Sequence, residues 1–260
     1  MIGQIHNGEC ETLIPTLDDE SVDLLITSPP YNVDLGDNKY NKNGYDLYND
    51  NKEHHEFIAW LKAIFDMVKP KLVTGGRICI NIGDGKNGSV PTHSDIIQFM
   101  TKELGYIVKS TIIWNKNQHS NRTSWGSWKS PSNPSFPTPF EFISIFCKDS
   151  QRKVGSKKDI TVTRDEFIQN SCGIWTIKPE TKSKSLGHPA PFPLELPYRL
   201  IQQLSYKNDV VLDVFAGSGT TCLAAEMLGR KWIGFELSEE YAELANRRLQ
   251  NFINQNRLTL

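Results

Sequence analysis

Apolar and polar positions divide this chain into short buried runs and amphipathic stretches that alternate along most of its length. Residues 22–26 and 210–212 are short apolar runs bounded by turn signals, the pattern of strands covered on both faces. Strands are also expected over 77–82, 107–114, 142–147 and 232–235. Residues 53–68 place Phe57, Trp60, Leu61, Ile64, Phe65 and Val68 at i, i+3, i+4 spacing, which predicts an amphipathic helix with those side chains in the core. Further helices are expected over 9–17 (interrupted by Pro15), 94–104, 194–204 and 222–228, the last running to Gly229. Gly75-Gly76 is expected to turn the chain into the strand that follows. Alternating strands and helices predict an α/β fold.

Three stretches carry no period. Residues 33–52 are rich in Asn, Asp, Gly and Tyr and are long for a plain connector, so a functional loop is expected there. Residues 115–140 mix prolines and polar groups with Arg122, Trp125, Trp128 and Lys129. Residues 149–187 are basic and irregular and read as an insert or small subdomain.

Two peptides at strand ends carry chemistry. Residues 213–221 (DVFAGSGTT) form a glycine turn between a strand and a helix, and the next strand ends on Glu236, 19 residues past Gly217. That is close to the roughly 20 residues at which an acid binds the ribose hydroxyls in nucleoside-binding α/β units. No lysine stands in 213–221, and Cys222 occupies the place of a third glycine, so a nucleoside without pyrophosphate fits better than NAD or ATP. Taken alone, the turn is equally readable as a structural strand-to-helix connection. The second peptide is 27–32 (TSPPYN), where two prolines stop both helix and ladder at the end of a buried strand. Ser28 and the Pro29 carbonyl can accept hydrogen bonds from an exocyclic amine, and Tyr31 can stack on its base for about 1–3 kcal/mol.

Composition narrows the class. Hydrophobic residues make up 38%, and no apolar run approaches the roughly 18 residues of a membrane span. The start, MIGQIHNGEC, has no basic segment followed by an apolar core, so no secretory signal is expected. The five cysteines are scattered and none sits at zinc spacing, which favours neither a disulfide framework nor a metal site. Net charge is −1, but residues 109–187 hold 13 basic against 6 acidic residues, +7, leaving −8 elsewhere. Such a block suits a polyanion-binding face, with a solvated basic loop as the plain alternative.

Three peptides, in this order, resemble the motifs of the permuted β class of amino DNA methyltransferases. Residues 27–32 resemble its catalytic TSPPYN peptide, 188–193 (HPAPFP) its HPxxFP motif, and 215–220 (FAGSGT) its FxGSGT cofactor loop. The resemblance runs from about residue 4 to 250. It implies a circularly permuted Rossmann-like sheet with helices on both faces and a small target-recognition insert. The implied division is a catalytic half over 1–148, the insert over 149–187, and a cofactor-binding half over 188–260.

The implied cofactor is S-adenosyl-L-methionine, with no metal. Asp213, Phe215, Gly217, Ser218 and Gly219 would line it, Thr220 and Thr221 would start the helix beside its methionine part, and Glu236 would hold the ribose hydroxyls. His188, Pro189 and Phe192 would close the methionine end. Gly8-Glu9-Cys10 resembles a GDC or GDS element with an acid near the adenine, although Glu9 departs from the family's Asp. Ser28, Pro29, Pro30 and Tyr31 would be the catalytic group. Ser28 stands where adenine-modifying relatives usually carry Asp, which favours the N4 amine of cytosine, with adenine N6 as the alternative. The absence of a Pro-Cys peptide argues against ring-carbon methylation. A non-DNA amino methyltransferase and a non-catalytic DNA-binding module are weaker alternatives.

The implied partners are double-stranded DNA with a flipped base and a cognate restriction endonuclease, in the cytoplasm of a prokaryotic cell, as monomer or homodimer. The insert is expected to read sequence, Arg122 and Lys129 to contact phosphates, and Trp125 and Trp128 to lie either in the core or along the DNA cleft.

Overall fold

The computed structural model describes residues 1–32, 52–85, 88–117, 126–136, 138–180 and 192–257. Among these residues eight strands form one sheet: β1 (Gln4–Asn7), β2 (Val22–Thr27), β3 (Leu72–Ile82), β4 (Ile107–Asn115), β5 (Phe140–Cys147), β6 (Ile174–Thr176), β7 (Val210–Asp213) and β8 (Lys231–Glu236). Their spatial order is β1-β8-β7-β2-β3-β5-β4-β6, so the last two strands of the chain sit between its first two. Only β5 runs against its neighbours β3 and β4; every other pairing of these strands is parallel.

The helices are α1 (Cys10–Leu13), α2 (His54–Val68), α3 (Thr92–Gln98), α4 (Arg164–Asn170), α5 (Glu195–Leu204), α6 (Thr220–Met227) and α7 (Glu239–Arg257). They cover both faces. Phe57, Leu61 and Phe65 of α2 and Ile96 of α3 pack with Leu25, Ile78 and Phe235 on one side. Leu200 of α5, Ala224 of α6 and Leu249 of α7 pack with Leu24, Trp175 and Trp232 on the other. Burial on both faces explains why the central strands read as continuous apolar runs. Among the described residues, no helix is long and apolar enough to cross a membrane.

Four expectations need correction. Gly75-Gly76 does not reverse the chain but forms a bulge inside β3, where the register with β2 jumps from Val22↔Leu72 to Leu24↔Arg77. Gly75 holds φ +75°, and a Cβ there would lie 2.5 Å from the Arg152 carbonyl oxygen, so the glycine admits a crossing backbone. The helix expected over 94–104 is α3 from Thr92, continued by a π-helical turn over Phe99–Glu103. Trp60, expected in the core, is half-buried, unlike Phe57 and Leu61 beside it. The irregular stretch 149–187 contains α4, with a full capping box from Thr163 and Glu166, and the edge strand β6.

Candidate active site

The parallel strands bring separated peptides to one edge. The carboxyl ends of β1, β8, β7, β2 and β3 all point there, as does the start of the reversed strand β5. That edge therefore collects Glu9, Glu236, the turn after Asp213, the peptide after Thr27, and Glu141. In open α/β sheets, ligands bind outside this edge.

On the β7–β8 side, the turn Val214–Gly219 is held by backbone bonds from Ala216 N to Phe235 O and from Gly219 N to Ala216 O, both 2.8 Å. Glu236 faces this turn: its Oε2 accepts from Gly217 N at 2.8 Å and its Oε1 from Ser238 N at 2.9 Å. Two backbone donors leave a carboxylate with lone pairs for two hydroxyls, so the residues present fit the nucleoside part of S-adenosyl-L-methionine. Burial pushes the Glu236 carboxyl up from its ordinary value, against the pull of those N–H groups.

Asp213 is fully buried, and its Oδ1 accepts from Thr27 Oγ1 at 2.7 Å and from Phe215 N at 3.1 Å. It thus ties the turn to β2 and acts on the turn's shape from below. Ser218, Thr220 and Thr221 are buried as well, and the Ser218 carbonyl and Thr220 hydroxyl accept from Arg248 Nη1 of α7 at 3.0 and 3.2 Å. Gly219, at φ +75°, starts α6 where a Cβ would lie 2.8 Å from Ile5 Cδ1. Gly217 also has positive φ. The half-buried Phe215 packs on Trp60, ring centroids 5.5 Å apart, and Lys52 Nζ lies 4.8 Å from the Trp60 ring centre. Glu9 is exposed just past β1, where Gly8 N donates to the Glu236 carbonyl at 2.9 Å. Phe192 packs on the core ahead of α5, which runs back toward the start of β7. His188 and Pro189 lie outside the described residues.

On the β2 side, Thr27 ends the strand and Pro29 is buried, while Ser28, Pro30 and Tyr31 are partly exposed. Ser28 Oγ donates to Tyr31 Oη at 3.2 Å, and Tyr31 Oη donates to Glu141 Oε2 at 2.7 Å. Asn81 Nδ2 donates to the same phenol at 2.9 Å and to Glu141 Oε2 at 2.8 Å, and Lys116 Nζ donates to Glu141 Oε1. Asn81, Glu141 and Lys116 were not among the expected site residues. Asn81 and Glu141 are 6% and 4% exposed inside apolar strands, and a buried polar side chain in such a run is the signal that could have found them.

Known proteins of similar sequence and fold identify the family. A family model described as DNA methylase, of the N6/N4 type, matches residues 22–247. The chain belongs to this family. Type II methyltransferase M.MjaI of Methanocaldococcus jannaschii is 32% identical over 263 residues, covering 90% of this chain and 86% of that protein. M.MjaVI from the same organism is 36% identical over 170 residues, covering 65% of this chain and 82% of its own. TTHA0409 of Thermus thermophilus, a DNA modification methylase by its description, was solved with S-adenosyl-L-methionine. It superposes with a TM-score of 0.74 at 28% identity, covering 95% of this chain and 93% of that one. This DNA methylase is thus an S-adenosyl-L-methionine-dependent enzyme of the N4/N6 amino type, with restriction–modification relatives.

The methylase's basic stretch divides between the two edges of the sheet. Lys148 Nζ donates to Leu72 O at 2.7 Å, and Lys153 Nζ lies 2.7 Å from Asp23 and 3.1 Å from Asp209. Leu72, Asp23 and Asp209 stand at the starts of β3, β2 and β7, the edge opposite Ser28 and Glu236. The chain returns along β6, parallel to β4, and regains the carboxyl edge at Ile177. Trp128 and Lys129 lie between β4 and β5 at that edge; Trp128 is 65% exposed, with Lys129 Nζ 5.7 Å from its ring centre. Of the two readings for Trp128, its exposure excludes the core. Arg122 and Trp125 lie outside the described residues. Among those residues, no cluster of His, Cys, Asp and Glu could hold a metal ion.

Asp213 gives the methylase a pH signature. Burial raises its carboxyl from 3.8 to about 6, reinforced by Glu236 and opposed by the Thr27 hydroxyl and the Phe215 amide. A folded value above the unfolded one means that the protonated form's contribution is full below 3.8 and is lost as pH rises through about 6. Asp213→Asn removes this cost, at most about 3 kcal/mol. Its melting temperature should therefore exceed wild type at pH 8 and converge on it near pH 4, as read by scanning calorimetry. A variant no more stable than wild type at pH 8 contradicts this account.

Proposed function

We propose that this methylase transfers a methyl group to the exocyclic N4 amine of a flipped cytosine at a specific site in double-stranded DNA. The observation that carries the reading is Ser28 at the end of β2: a neutral hydroxyl whose proton is given to Tyr31 and whose oxygen, approached by Asn81 Nδ2 at 3.5 Å, keeps a lone pair to accept from an amine. The Pro29 carbonyl supplies a second acceptor. Hydrogen bonds from both amine protons favour a pyramidal nitrogen and expose its lone pair. An aspartate at position 28 would accept more strongly and suit the less nucleophilic amine of adenine; serine suits cytosine.

When bound, S-adenosyl-L-methionine supplies an electrophilic methyl group on a sulfonium. Glu236 holds the ribose hydroxyls, Gly217 and Gly219 shape the turn, Asp213 braces it, and Phe215, Glu9 and Phe192 border the remainder; His188 and Pro189 are assigned to the methionine end by the motif resemblance alone. Holding both reactants in line lowers the barrier by about 7–11 kcal/mol at most. Extruding the base costs a few kcal/mol, returned by stacking on Tyr31 and by edge contacts.

Trp128 and Lys129 face the DNA from the connection between β4 and β5; Arg122 and Trp125 are assigned to DNA contact on the sequence alone. The 149–187 insert contributes to reading the sequence, and its residues 177–180 follow β6 at the carboxyl edge. A restriction endonuclease of the same specificity is the implied partner.

Incubation of the purified protein with labelled cofactor and unmodified DNA, followed by nucleoside digestion, should yield N4-methylcytosine. Label found only in N6-methyladenine overturns the choice of base.

A further inference from the structure

The polar cluster beside Ser28 has a direction, and Glu141 sets it. Starting at the catalytic peptide, Ser28 Oγ donates to Tyr31 Oη and Tyr31 Oη donates to Glu141 Oε2. The phenol oxygen also lies 2.9 Å from Asn81 Nδ2, whose two protons serve Tyr31 Oη, Glu141 Oε2 and, at 3.5 Å, Ser28 Oγ, while the phenol's own proton goes to Glu141. A carboxylate offers no proton in return. Glu141 is held in that role by Asn81 Nδ2 on Oε2 and by the Lys116 ammonium on Oε1. Gly83 leaves room for it, since a Cβ there would lie 3.3 Å from Glu141 Cγ. Asn81 uses its amide protons within the cluster and keeps its Oδ1 buried with no partner among the described residues.

We propose that Glu141 is the positioning residue that makes this site select an amino group. By taking the Tyr31 proton it keeps the Ser28 hydroxyl turned away from the base, so that Ser28 meets the target only as an acceptor. An amine satisfies that acceptor. The keto oxygen of thymine or guanine sets acceptor against acceptor and is refused, since a desolvated polar atom without a partner costs about 1–3 kcal/mol. Without the carboxylate, Ser28 and Tyr31 can reverse, and the serine proton then competes for the lone pair that must attack the methyl group. The inference rests on the reading of Ser28 as the acceptor of the target amine.

The test is a double-mutant cycle on the single-turnover rate of methyl transfer from labelled cofactor to unmodified plasmid DNA. Glu141→Gln keeps the shape, but its amide can either accept from Tyr31 or donate to it. This variant should lower the rate by about 10²-fold, the cost of one preorganised polar partner, while cofactor affinity stays within about threefold. Ser28→Ala should lose a similar factor. The two changes act through one chain, so the double variant should be no more than about threefold slower than either single one. A merely structural glutamate gives losses that multiply. That result, or a Glu141→Gln rate within about threefold of wild type, overturns the proposal. If Glu141→Gln does not fold, Tyr31→Phe takes its place in the cycle, since it leaves Asn81, Glu141 and Lys116 together. An unchanged rate in Ser28→Ala alone overturns the reading of Ser28 itself, a different outcome from failure of the glutamate's role.

Discussion

Glu236→Gln is expected to weaken S-adenosyl-L-methionine binding by about 10²-fold, because charge-assisted hydrogen bonds to an ionised partner are worth about 1.5–3 kcal/mol. The substitution conserves size, so its effect comes from polarity. In the native site each carboxylate oxygen accepts from a backbone N–H, Oε2 from Gly217 and Oε1 from Ser238. A glutamine has only one oxygen. Whichever way its amide turns, an NH₂ group opposes one of those N–H groups, and the carboxylate's remaining capacity for ribose hydroxyls is halved. Titration calorimetry of the cofactor reads the loss directly, and DNA binding without cofactor should be unaffected. Acidification should act in the same direction: burial places the Glu236 carboxyl above its ordinary value, so its ionised form disappears at a higher pH than for an exposed glutamate. A glutamine variant that binds the cofactor as tightly as wild type removes Glu236 from the ribose contact.

The strands around this residue were legible because they are buried on both faces and therefore read as unbroken apolar runs. β1 was not: of Gln4–Asn7 only Ile5 is buried, and hydrogen bonds of Ile5 N and O to the Asn246 side chain help hold the strand in place. Nor was α7, whose buried stripe is Ala242, Ala245 and Leu249, too small to stand out among charged neighbours. The glycine turn and the peptide after Thr27 were legible because glycine and proline restrict backbone in ways that a strand or helix does not tolerate. Asn81, Glu141 and Lys116 were hidden because their partners are 25 to 110 residues away and meet only when β5 is laid against β3 and β4. Trp60 shows the same limit. Its spacing on α2 put it on the apolar face, while Phe215 packs on it and Glu11 accepts from its Nε1.

Charge counting failed most clearly at Lys153, and Lys153→Ala should show why. This lysine belongs to the basic block from which a DNA-binding face was expected, yet it is 5% exposed and lies between Asp23 and Asp209. Each aspartate has a second duty: Asp23 Oδ2 accepts from Val210 N at 2.8 Å and Asp209 Oδ2 from Tyr206 N at 2.7 Å. Removing the ammonium leaves two carboxylates facing each other at the starts of β2 and β7. A broken buried pair costs about 3–5 kcal/mol, so denaturant unfolding at pH 7 should show a loss of that order. Acid should partly restore it. Burial and the neighbouring Asp23 already raise the Asp209 carboxyl although Lys153 opposes them, and without the lysine it rises further. A raised folded value gives stability that is fully present below the unfolded one and lost as pH climbs through it, so the gap between variant and wild type should narrow as pH falls. DNA affinity of the folded variant should stay at wild type, because Lys153 lies at the edge opposite Ser28. Lys129→Ala should do the reverse, leaving stability unchanged while reducing the salt slope of DNA binding by about one. If Lys153→Ala instead kept its stability and lost DNA affinity, the basic block would act as a single face, and the division of its charges between the two edges of the sheet would be wrong.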